Sequence, residues 1–229
     1  MKTLTSPFGI IRTLVCAAAL LVAVSAQAQI AYRFSINTAS LIGASAGPFY
    51  LDFQLSDGSG LGDGNNTAWL SNFNFYGGAP TGAAAGAGAF TGNLSSSVSL
   101  RDQSFFNEFY QAFTPGSFLQ FDLNLSARVD SGLVPDTFAF AILDSTLSNL
   151  PTLSGGSDVF ASIDITGSSA VVHTFASNGS VSPAAGGPAI TIFAPTITPV
   201  PEPSTYGIIA ALALALTVVV RRHSRSRAT

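Results

Sequence analysis

The sequence predicts an all-β protein, an antiparallel β-sandwich of jelly-roll-like type, flanked by an N-terminal signal peptide and one C-terminal transmembrane helix. Three observations predict it. Apolar and polar residues alternate with period two through most of residues 29–194, which sets one face of each strand on a core and the other in water. Clusters of Gly, Ser, Asn and Pro separate the alternating runs, as turns between short strands require. Each end of the chain carries an apolar run next to basic residues, a composition suited to segments that meet a membrane.

The N-terminal element is the signal peptide, residues 1–28. Lys2 and Arg12 make it basic, and Leu14 to Val24 is apolar but short against the ~20 residues of a bilayer-spanning helix. Ala26-Gln27-Ala28 then supplies the small-x-small pattern of a cleavage site, with the cut expected after Ala28. The partners implied are the Sec translocon and signal peptidase. Cys16, the single cysteine, lies inside this segment, and Thr13, Leu14 and Val15 before it lack the small residue of a lipidation site. The processed chain therefore has no thiol for a disulfide or a Cys-based zinc site.

The ectodomain follows, residues 29–194. Tyr32, Phe34 and Ile36 alternate with Ala31, Arg33 and Ser35; Phe49, Leu51, Phe53 and Leu55 alternate with Tyr50, Asp52 and Gln54; Phe73 and Phe75 alternate with Asn72, Asn74 and Tyr76. The clearest run is Phe118 to Val129, and others are Thr137 to Leu143, Asp158 to Ile165, Ala170 to Phe175 and Ala189 to Phe193. Asp102 to Ala112 fits a helix or a strand. Two stretches lack a pattern. Gly77 to Gly92, GGAPTGAAAGAGAFTG, reads as a mobile Gly/Ala-rich loop, and residues 177–188 as a second loop. Pro195 to Pro203 carries four prolines and reads as an extended stalk.

Beyond the stalk, residues 204–220 form the expected transmembrane helix, at the lower length limit for a span. The tail, residues 221–229, holds Arg221, Arg222, Arg225 and Arg227, which the positive-inside rule keeps cytoplasmic. Residues 29 to about 200 then lie outside the inner membrane.

Val200-Pro201-Glu202-Pro203-Ser204, a short apolar run and a terminal Arg cluster resemble, in that order, the PEP-CTERM sorting signal. In that family Pro-Glu-Pro is recognised by an exosortase, a membrane transpeptidase-like cysteine protease. The resemblance implies that Pro201, Glu202 and Pro203 are the sorting motif and that an exosortase is a partner. It implies a bacterial protein exported to the cell surface or extracellular space after an inner-membrane, single-pass stage, often in cells making exopolysaccharide or biofilm. It covers about thirty of the 229 residues and carries no implication for the fold between.

Charge bounds the function. Charged residues are 9% of the chain, against roughly 25% in an average soluble domain. Between residues 29 and 200 three bases, Arg33, Arg101 and Arg128, stand against eleven acids, a net charge of −8. That balance excludes nucleic acid as a partner, since phosphate binding needs clustered Lys and Arg.

Candidate chemistry is sparse. Gly43-Ala44-Ser45-Ala46-Gly47 matches G-x-S-x-G, but Pro48 and an alternating run follow where a nucleophile elbow needs a helix. His173 is the one histidine outside the tail, and Glu108 the one Glu in the ectodomain, which leaves no paired carboxylates of the kind glycosidases use. No catalytic residue and no required cofactor are expected. Asp57 to Asn66 (DGSGLGDGNN) offers the oxygen ligands and glycines of a calcium loop, with Asp57, Asp63 and Asn65 as candidate ligands and without the closing Glu of an EF-hand. Trp69, Tyr76 and Tyr110 are candidates for stacking on sugar rings. The expected function is a non-enzymatic structural or adhesive role at the cell surface or in the matrix, tied to exopolysaccharide. The alternatives are a carbohydrate-binding module and, behind it, a secreted hydrolase.

Overall fold

The computed structural model describes residues 29–60, 62–128, 134–167, 170–180, 189–200 and 207. The chain divides into two units, residues 1–28 with 207–229, and residues 29–206; every element below belongs to the second. Ala26, Ala28, the Pro201–Pro203 motif and, except for Gly207, the span 204–220 lie outside the described residues. No helix among the described residues is long and apolar enough to cross a membrane.

The protein is all-β with antiparallel sheets. Its strands are β1 (Gln29–Asn37), β2 (Phe49–Ser56), β3 (Thr67–Asn74), β4 (Ala79–Pro80), β5 (Ala85–Ala87), β6 (Ala89–Gly92), β7 (Val98–Arg101), β8 (Phe106–Thr114), β9 (Phe118–Ser126), β10 (Asp136–Leu143), β11 (Ala161–Ile165), β12 (Ala170–Thr174) and β13 (Thr196–Pro199). The first sheet runs β13-β1-β9-β3-β7-β6; the second runs β12-β11-β10-β2-β8-β4, with β5 also on β8. The first three long strands thus fall alternately on the two sheets.

Alternation produces this pairing because a strand buries every second side chain. β1 and β9 pair over their whole length, from Gln29 opposite Ser126 to Asn37 opposite Phe118. Their inward residues Phe34, Ile36, Leu119, Phe121, Leu123 and Leu125 are buried. Phenylalanine fills the space between the sheets. Phe34 stacks on its cross-strand partner Phe121 at 4.6 Å between ring centres and meets Phe138 of the other sheet edge-on at 6.3 Å. Phe53 of β2 meets Phe121 edge-on at 5.3 Å and also touches Phe73, Phe109, Phe138 and Phe140. Offset and edge-to-face rings add about 0.5–1.5 kcal/mol per pair beyond area burial, so Phe53 is the hub that joins the sheets face to face, as in a β-sandwich.

Three expectations are corrected. Gly77–Gly92 is not a mobile loop, because it contains β4, β5 and β6, hydrogen-bonded to β8 and β7. Glycine serves close approach there: a Cβ on Gly86 would sit 1.9 Å from the Glu108 carbonyl oxygen, and one on Gly92 1.9 Å from that of Ser97. Two inward-facing polar side chains hold the segment down. Asn107 Oδ1 accepts the Ala89 N–H at 2.9 Å, and Gln111 Oε1 accepts the Leu94 N–H at 2.9 Å while its Nε2 donates to the Gly82 carbonyl at 3.0 Å. Secondly, the stalk does not begin at Pro195. Thr196–Pro199 pairs with β1, Tyr32 facing Pro199, and the Val200 N–H donates to the Ala31 carbonyl at 2.8 Å. Prolines are tolerated there because an edge strand leaves half its N–H positions unpaired. Thirdly, Ala189–Phe193 is not a strand; Ile190 and Ile192 are buried, and among the described residues the Ile192 backbone bonds to Ser177. The Asp102–Ala112 region, open between helix and strand in the sequence, contributes most of β8, a strand.

Candidate functional site

The outer face of the first sheet collects the most chemistry. Along β3, Ala68 and Leu70 point into the core and Trp69 points out, 46% exposed. Its register partners are Asn124 on β9 and Ser99 on β7. Beyond Ser71 the β3–β9 register shifts at a bulge, and Asn72 takes a positive φ of 56°. Bulges re-aim side chains, and here the Asn72 amide reaches Asp122 Oδ2 at 2.8 Å. Arg33 on β1 holds the same carboxylate with two parallel bonds, Nε to Oδ1 at 2.7 Å and an Nη to Oδ2 at 2.9 Å. The Arg33 bond, and after it the Asn72 bond, hold the Asp122 carboxyl below the usual carboxylate range, and Asp122 pushes Arg33 up.

Tyr76, also 46% exposed, ends the row. Its hydroxyl donates to Gln120 Oε1 at 2.6 Å, and its ring meets Phe118 edge-on at 6.4 Å. Next to Trp69, on the β6–β7 side, an open cleft of about 320 Å³ is lined by Ala89, Phe90, Thr91, Ser99, Arg101 and Gln103. The face therefore carries a half-exposed indole and a half-exposed phenol with a row of amides, a carboxylate and a guanidinium between them. Aromatic rings offer flat apolar contact, and fixed polar groups around them supply donors and acceptors.

The three aromatic candidates do not form one platform. Trp69 and Tyr76 share the first sheet, but Tyr110 lies on the outer face of the second, against Tyr50 at 6.1 Å. Alternation tells which side of a strand a residue takes, not which sheet the strand joins. The cleft residues Thr91, Ser99, Arg101 and Gln103 were not signalled as a group; the short run Val98-Ser99-Leu100-Arg101 does alternate and is the one trace of them in the sequence.

The second sheet's outer face holds three acids, Asp52, Glu108 and Asp164. Asp52 faces outward between Tyr50 and Tyr110 yet is 0% exposed. Gln54 Nε2 donates to its Oδ2 at 2.6 Å, and Oδ1 is buried with no hydrogen-bond partner. Burial, then the nearby Glu108, push its carboxyl up to about 7, and the bond from Gln54 only partly offsets them. Burial also raises Glu108. His173 Nε2 stands 3.9 Å from Asp164 Oδ2, on the second sheet. Gly43–Gly47 follows a short 3-10 turn, Ala39–Leu41, and leads directly into β2, so a strand stands where an elbow needs its helix.

The calcium candidates sit apart from both faces. Asp57 is buried and accepts from Ser59 Oγ at 2.6 Å, the Gly60 N–H at 2.9 Å and the Gly62 N–H. Burial pushes its carboxyl up, but these bonds outweigh it and hold the group low. Asp63 accepts the Asn65 N–H at 3.0 Å and its side-chain amide at 2.7 Å. Asp57 thus ties its own loop. Among the described residues no three His, Cys, Asp or Glu side chains gather closely enough to hold a metal ion by themselves.

No protein-family model matches the chain, and no curated protein or solved structure is significantly similar to it.

Proposed function

We propose that this chain is an exported bacterial surface or matrix protein, sorted by a PEP-CTERM signal, whose jelly-roll-like β-sandwich binds polysaccharide without turning it over. One observation carries the binding reading: Trp69 and Tyr76 stand half-exposed on one sheet face, with Arg33, Asp122, Asn72 and Gln120 between them. Both rings present flat faces, and the polar groups between them match the alternating donors and acceptors of sugar hydroxyls. The cell's own exopolysaccharide is the proposed ligand. Export, cleavage after Ala28 and exosortase processing near Pro201-Glu202-Pro203 rest on the sequence order of the two ends.

Affinity electrophoresis through gels containing the producing strain's exopolysaccharide tests the binding reading. The full chain is retarded, and Trp69→Ala loses at least tenfold in affinity with an unchanged melting temperature. Equal retardation of Trp69→Ala and the unaltered chain refutes it. Mass spectrometry of the surface-exposed protein tests the sorting reading separately: residues 1–28 and the Arg tail are both missing, and an intact C-terminus rejects exosortase cleavage.

A further inference from the structure

Asp102 follows β7 in the first sheet, and Asp136 opens β10 in the second. Both are buried, 0% and 3% exposed. Asp136 Oδ1 accepts the Gly58 N–H at 2.8 Å, and its Oδ2 accepts from Asn66 Nδ2 at 2.7 Å. Asp102 Oδ2 accepts the Asn66 N–H at 2.8 Å, while Oδ1 is buried and receives nothing. Asn66 joins the two carboxyl groups, with its N–H on Asp102 and its side-chain amide on Asp136, and Asp63 adds negative charge beside Asp102. Burial, then these acidic neighbours, push Asp102 up to about 7 against the bond from Asn66.

Among the described residues no Lys or Arg side chain forms an ion pair with either carboxyl. The Arg33–Asp122 ion pair lies elsewhere and does not involve these two acids. Arg101 turns to the Gly64 carbonyl at 3.5 Å, and Arg128 meets Asn66 through its backbone. An ionised carboxylate has about four acceptor positions; one at Asp102 and two at Asp136 are filled by these bonds. Two facing carboxylates withdrawn from water cannot both stay ionised without a cation between them.

We propose that Asp102 Oδ1 and the Asp136 carboxylate form a calcium site, covered by the 57–66 loop, that staples the two sheets together at this end. The carboxylate donors are oxygen, and among the described residues no Cys or His gathers with the two acids, which selects a hard cation. Calcium accepts irregular oxygen sets of six to eight ligands, whereas magnesium demands a near-ideal octahedron. With two carboxylates, and backbone carbonyls or water completing the shell, the affinity falls in the range of extracellular modules, Kd of about 10⁻⁴–10⁻³ M. The site differs from the loop ligands anticipated from sequence: Asp57 is saturated by its own loop, and the unfilled oxygen is on Asp102, thirty-six residues beyond Asn66.

Titration of the full chain with calcium at pH 7.5, by calorimetry and thermal unfolding, tests this. One calcium binds per chain, and the melting temperature rises by about 4 °C at roughly tenfold excess over Kd. Asp102→Asn removes one of two like charges, so in EDTA it melts no lower than the unaltered chain, yet its calcium affinity falls at least tenfold. Should Asp102→Asn fail to fold, the unaltered chain still decides: identical melting in calcium and EDTA, with no binding heat, overturns the proposal and leaves a shared proton between the carboxyls. Calcium binding that survives intact in Asp102→Asn overturns it as well.

Discussion

Replacing Asp52 by asparagine is the sharpest perturbation of the fold's electrostatics. The side chain is 0% exposed, one of its oxygens has no partner, and its carboxyl is moved from 3.8 to about 7 by burial and then by Glu108. At about 1.4 kcal/mol per pK unit, a carboxylate buried this way costs on the order of 4 kcal/mol when fully ionised. The pKa is raised in the folded state, so Asp52 favours the fold fully below its unfolded value near 3.8. That contribution is lost as pH rises through about 7. The amide introduced by Asp52→Asn is neutral throughout and keeps an acceptor for Gln54. Urea unfolding of both chains at pH 4, 6 and 8 is the assay. The two agree within about 1 kcal/mol at pH 4, and Asp52→Asn is the more stable by up to about 4 kcal/mol at pH 8. The difference between the chains matters, because other acids titrate in both. Parallel pH dependences would show instead that Asp52 reaches water.

Phe53→Ala removes the ring that touches five other phenylalanines across both sheets and is expected to cost about 3–5 kcal/mol in denaturant unfolding. Gln111→Leu strips an acceptor from the Leu94 N–H and a donor from the Gly82 carbonyl. Hydrogen exchange of the 79–94 amides then accelerates while exchange in β1 and β9 is unchanged, and stability falls by about 1–3 kcal/mol.

Strands with strict alternation were readable from sequence. In β1, β2, β9 and β10 the inward set is Phe, Leu and Ile with few exceptions, so period and burial coincide. The Gly/Ala-rich segment was not, because Gly and Ala carry no contrast between core and solvent. What orders it, Asn107 and Gln111, lies on another strand, and polar residues at inward positions of β8 were the available clue. β13 was hidden by prolines that an edge strand accommodates. Trp69 and Tyr76 were readable as a pair, but Tyr110 was not assignable, since it needed the sheet order. The Asp102–Asp136 pair was invisible for the same reason: its members are thirty-four residues apart and are joined through Asn66.

Trp69 is the only tryptophan in the chain, so its fluorescence reports directly on the face assigned to the ligand. Binding of the exopolysaccharide should shift its emission to shorter wavelength and shield it from acrylamide, with both changes saturating along the same isotherm as polysaccharide binding. Unchanged emission and unchanged quenching, at polysaccharide concentrations where the protein is fully bound, would place the ligand away from Trp69 and overturn its role in binding.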